Sequence, residues 1–122
     1  MHLLKRLAVL LGASTLLLAG TATAAQATTR SCAVNGARVW LNDSCRTDSV
    51  GAYSDHSVWI AVAPYSGCKM DYKVRDIANN KVVLSGRTSN LSRWVFGLHS
   101  FYRLEVTKVG RGCGGDAVIK GV

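Results

Sequence analysis

Beyond residue 27, apolar and polar residues recur with a period of two, and no window of 11 or more residues carries apolar positions at helical spacing behind a cap. A period of two puts alternate side chains on opposite faces of an extended strand. Residues 69–75 show it most cleanly, with Met70, Tyr72 and Val74 on one face and Lys69, Asp71, Lys73 and Arg75 on the other. Residues 101–109 repeat the pattern: Tyr102, Leu104 and Val106 face in; Arg103, Glu105 and Thr107 face out. Residues 57–63 (Val58, Trp59, Ile60, Val62) are apolar on both faces, which predicts a central strand with Trp59 in the core. Pro64 has no N–H for a ladder and ends that strand.

Turn chemistry separates further strands. Asn35-Gly36 accepts the positive φ of a tight hairpin turn and predicts pairing of residues 32–34 with 37–41. Asn79-Asn80 turns residues 69–75 back into an antiparallel strand at 81–85. Residues 92–96 form another strand, which Gly97 turns into 101–109, and 117–119 a last short one. Residues 42–55, 86–91 and the glycine-rich 110–115 read as loops.

The tally is seven to eight short, evenly spaced strands. That spacing predicts an all-β fold, either a small two-sheet sandwich or a small antiparallel β-barrel. The segment 72–109 resembles the last strands of immunoglobulin-like and transthyretin-like extracellular domains. The resembling residues are Val74-Arg75-Asp76, the Asn79-Asn80 turn, and Gly97-Leu98 leading into Tyr102-Arg103-Leu104-Glu105-Val106. The resemblance favours an immunoglobulin-like β-sandwich and implies a tyrosine-corner hydrogen bond from Tyr102.

The first 27 residues have a different character. Lys5 and Arg6 precede an apolar stretch broken by Gly20 and Thr21, followed by the small-x-small sites Ala22-Thr23-Ala24 and Ala25-Gln26-Ala27. This order is that of a cleaved export signal, cut after Ala24 or Ala27. The apolar run ends short of the ~20 residues a membrane span needs. Thr21 stands where a lipidated cysteine would have to be, so neither lipidation nor stable membrane insertion is expected. Residues 28–122 then form one secreted, extracellular domain. The chain holds 15 Lys plus Arg against 7 Asp plus Glu. Losing Lys5 and Arg6 leaves 13 against 7, a net +6.

All four cysteines, Cys32, Cys45, Cys68 and Cys113, lie beyond the signal, with gaps of 12, 22 and 44 residues. An even count in a short exported chain predicts two disulfides. Zinc ligands come in closer pairs, so no metal site is expected. Three pairings are possible. Cys32–Cys45 with Cys68–Cys113 is favoured, because the first pair flanks the predicted hairpin.

Residue types needed for catalysis are sparse. Asp55-His56-Ser57 holds the three types of a hydrolytic triad, but adjacency is not triad geometry. His99 falls in a turn. Only Asp43, Asp48, Asp55, Asp71, Asp76, Glu105 and Asp116 could supply a carboxylate pair. Residues 110–115 lack the Lys-Ser/Thr ending of a phosphate loop. The expectation is a monomer that is not an enzyme and has no cofactor.

Binding remains. Lys69, Lys73 and Arg75 share a face, with Arg103 placed on it two strands away, and the positive charge favours acidic partners. Nucleic acid is not expected, because the basic residues lack interleaved aromatics. Trp40 and Trp94 lie in mixed surroundings and could stack on sugar rings. The first expectation is a non-catalytic, cationic binding module for an acidic or glycan ligand outside the cell or in its envelope. The second is an inhibitor of a secreted hydrolase, amylase or protease. The chain is similar in size and cysteine number to the tendamistat family of α-amylase inhibitors and lacks that family's Trp-Arg-Tyr motif. The third is a cationic toxin or antimicrobial. Exposure of Trp40 and Trp94 separates the first from the second.

Overall fold

A computed structural model describes residues 26–35 and 43–122. Residues 1–25 of the expected export signal, the second arm of the hairpin expected at Asn35-Gly36 and Trp40 lie outside the described residues. Among those described there is no helix. Nine strands run in chain order: β1 (Thr28–Val34), β2 (Ser44–Arg46), β3 (Val50–Gly51), β4 (Val58–Pro64), β5 (Lys69–Asp76), β6 (Lys81–Thr88), β7 (Leu91–Val95), β8 (Phe101–Val109) and β9 (Gly115–Gly121).

The strands form a two-sheet β-sandwich. One sheet has the order β1-β9-β4-β7; the other has β2-β8-β5-β6, with β3 also on β8. All pairings are antiparallel. The last strand does not lie beside its predecessor. It crosses to the opposite sheet and sits between β1 and β4. As the alternation predicts, Met70, Tyr72, Val74, Tyr102, Leu104 and Val106 face the core. They meet Val34, Val58, Ile60, Val62, Ala117 and Ile119 from the other sheet. Most of these residues are β-branched, a shape that packs well on a pleated surface.

Two disulfides, Cys32–Cys45 and Cys68–Cys113, close the favoured pairs. The first joins β1 to β2 and so clips the two sheets together at one edge. The second ties the turn after β4 to the loop between β8 and β9. At the other end of β9, Gly121 lies so close to β3 that an added Cβ would collide with the Gly51 carbonyl oxygen. Beyond it Gly51 and Val122 exchange backbone hydrogen bonds of 2.8 and 2.9 Å. Only glycine allows that approach. The Tyr102 hydroxyl accepts a hydrogen bond from the His99 backbone N–H at 3.0 Å, the corner bond the resemblance implies.

Three expectations need correction. Much of the stretch read as loop at 42–55 is paired to β8, through β2 and β3. Between them Thr47, a buried polar residue, bonds Leu104 through both its N–H and its hydroxyl oxygen, at 2.9 and 3.0 Å. A side chain thus completes the ladder where the short strands break. The loop read at 86–91 is largely strand, since β6 runs on to Thr88. Gly86 sits under the ring of Tyr72, where a Cβ would crowd the phenol oxygen. Lastly, Trp59 is not core. Val58, Ile60 and Val62 face inward, and Trp59 is half-buried on the outer face.

Both edges of the β1-β9-β4-β7 sheet are blunted by arginine. Ile60 pairs with Ile119 on one side and Arg93 on the other, and Ile119 pairs with Arg30. Both arginines occupy core-side register positions yet are exposed. A long charged side chain there discourages pairing with a further strand.

Candidate functional site

The sandwich presents two outer faces of different chemistry. On the β1-β9-β4-β7 sheet, strand register fixes an aromatic row. Trp59 of β4 lies directly opposite Trp94 of β7 on one side and Lys120 of β9 on the other. Neighbouring strands are about 4.8 Å apart, so the three side chains stand side by side. The Lys120 ammonium is 5.0 Å from the Trp59 ring centroid, a cation–π contact. Tyr53, from the loop after β3, extends the row, its ring centroid 5.9 Å from that of Trp94 at 56°. Trp94 is 48% exposed.

The rows beside these aromatics are short. Ala61 lies between Ser92 and Val118, and Ala63 pairs with Asp116. Small side chains next to tall rings leave a flat floor with an aromatic rim. Lys120 and Asp116 are the charged residues at these outward positions, so the face is neutral. Such a surface offers apolar ring faces to C–H groups and a single cation to a hydroxyl or an acid.

The outer face of the other sheet is polar and cationic. Lys69, Lys73 and Arg75 project from β5 as the alternation predicts. Arg103, expected two strands away, is on the adjacent strand and pairs directly with Arg75. Glu105 Oε2 accepts hydrogen bonds from Arg75 Nε at 2.8 Å and Arg103 Nε at 2.7 Å. Partial burial works against ionisation of Glu105, but the two guanidinium groups outweigh it and hold the carboxyl below the usual glutamate range. Arg75 Nη1 also donates to the Asn80 carbonyl oxygen at 2.8 Å. Arg46 of β2 stands opposite Glu105. Arg46, Arg75, Arg103, Glu105 and Asn80 line an open depression of about 520 Å³. Farther along, Arg87 pairs with Asp71 at 2.7 Å, and that contact lowers the Asp71 pKa.

The six residues singled out for binding therefore do not converge. Trp94 lies on one face and Lys69, Lys73, Arg75 and Arg103 on the other, with the core between them; Trp40 is outside the described residues. The sequence reading missed Trp59, Tyr53, Lys120 and Arg46. Strand parity would have found Trp59, because Val58, Ile60 and Val62 already fill the inward positions. Tyr53 and Arg46 needed the pairing of β2 and β3 with β8.

Asp55-His56-Ser57 does not build a triad. The buried Ser57 hydroxyl donates to Asp55 Oδ1, while the His56 ring lies against His99, their centroids 4.1 Å apart. Lys108 is another charge turned toward the interior: its ammonium sits 3.3 Å from Asp43 Oδ1 as an ion pair without hydrogen-bond geometry. No protein-family model and no curated protein matches the chain.

Proposed function

We propose that this protein is an exported, monomeric, non-catalytic binding module whose aromatic face lies against an extracellular glycan. The observation that carries the reading is the register of Trp59 and Trp94, set side by side with Tyr53 behind them. An exposed indole on a rigid sheet loses little side-chain freedom on binding, and its face packs against the C–H face of a sugar ring. The short residues beside the row leave space for neighbouring sugars. Two disulfides and a paired backbone keep the platform preformed. Rigid presentation lowers the entropic cost of holding an extended, flexible polymer.

The direct test is retention on insoluble, uncharged polysaccharides and cell walls. The wild-type domain is retained on at least one of them. Trp94→Ala, a change at an exposed position, elutes unbound while melting as the wild type does. A domain that passes through the whole panel, or a Trp94→Ala variant retained as well as wild type, overturns the reading.

A further inference from the structure

The cationic face on the far side of the sandwich belongs to no part of that reading. Its outward positions carry Arg46, Lys69, Lys73, Arg75, Arg87 and Arg103 against Asp71 and Glu105, a net +4. The outward positions of the aromatic sheet carry one lysine and one aspartate, a net of zero, with Arg30 and Arg93 exposed at its two edges. Most of the expected +6 of the exported domain is thus gathered on one side. Scattered surface charge serving solubility alone has no reason to segregate in this way.

We infer that this face binds a phosphodiester polymer of the polyol-phosphate type. Arg46, Arg75 and Arg103 hold phosphate in the depression, and Lys73 and Lys69 follow the chain outward. Three features support this. Glu105 takes the Nε of both Arg75 and Arg103 and so fixes two guanidinium groups beside each other. Guanidinium groups held in place recognise phosphate oxygens with geometric as well as electrostatic preference. Three arginines against one carboxylate leave the depression at +2, which two successive phosphodiester charges neutralise. A carboxylate ligand would only duplicate Glu105.

The spacing also fits. Alternate residues along β5 lie about 6.8 Å apart, a step that phosphates joined through a three-carbon polyol can follow. Asp71, which interrupts the row between Lys69 and Lys73, is already neutralised by Arg87. From the depression to the end of the strand the outward cations are Arg75, Lys73 and Lys69, with the neutral Arg87–Asp71 pair between the two lysines.

The experiment uses a labelled poly(glycerol phosphate) oligomer, with fluorescence anisotropy read over a range of salt. Wild type binds, and log Kd rises with log salt. Arg46→Gln/Arg103→Gln weakens binding about tenfold at low salt and makes the salt slope shallower by about 1.4, the single-strand value for two charges. Lys69→Gln/Lys73→Gln, at two exposed positions that take no part in the Glu105 hydrogen bonds, also weakens it and makes the slope shallower. Equal binding of polyglutamate of the same charge, tighter binding of duplex DNA, or wild-type behaviour in both variants overturns the inference. The probe contains no sugar ring, so this test and the glycan test fail separately.

Discussion

Replacing Cys68 and Cys113 together by alanine removes the longer staple at two positions that lie outside every strand. The bond spans 45 residues of sequence. In the chain-entropy model, freeing a loop of that length destabilises the fold by about 4 kcal/mol at 25 °C. A domain of about 95 residues unfolds with an entropy near 0.20 kcal/mol/K, so the midpoint should fall by about 20 °C. The native contacts at the site do not depend on sulfur. Tyr65 N–H donates to the Gly114 carbonyl at 2.9 Å and Cys68 N–H to the Tyr65 carbonyl at 2.8 Å. The effect is therefore expected in the unfolded state, with sheet content unchanged below the transition. Removing Cys32–Cys45, which spans 13 residues, costs about 3 kcal/mol on the same basis and shifts the midpoint less. Differential scanning calorimetry on the two double variants measures both. A fall below about 5 °C for the longer loop, or a larger fall for the shorter one, would refute loop-closure entropy as the source of the stabilisation.

Two further predictions concern other parts of the fold. Gly121→Ala forces β9 away from Gly51 and Val50 and is expected to destabilise by about 1–3 kcal/mol, the range for overpacking. A urea midpoint equal to wild type would show that β3 can move aside. Glu105 has a lowered folded-state pKa, so its stabilisation is full above the ordinary glutamate value and is lost as pH falls through the lower folded value. Melting temperatures in acid should therefore drop more steeply for wild type than for Glu105→Gln; parallel acid profiles would contradict the ion-pair account.

How much of this was legible in the sequence depended on range. Strands β5 and β8 could be read because each carries its own alternation over eight or nine residues, and β4 because its apolar run is closed by Pro64. Strands β2 and β3 could not, being three and two residues long. A polar sequence such as Ser44-Cys45-Arg46 becomes strand only because β8 offers unpaired backbone groups beside it. Partner choice was equally hidden. Nothing local to residues 115–121 says that they lie between β1 and β4. That non-local fact puts Lys120 over Trp59, beside the aromatic row. Arg103 was misplaced for the same reason: alternation gives the face of a side chain but not the neighbouring strand. The disulfide pairing was within reach, because the spacing of Cys32 and Cys45 carried it.

The central claim is that the face bearing Trp59 and Trp94 meets the glycan. Two-dimensional ¹H–¹⁵N NMR of the oxidised domain, titrated with soluble fragments of whichever polysaccharide retains it, tests that claim most directly. The account predicts that the indole N–H signals of Trp59 and Trp94 and the amides of Ala61 and Lys120 move together, with one affinity, while those of Arg75 and Arg103 stay in place. Binding that shifts only the arginine face, or leaves both indole signals unmoved, would contradict it.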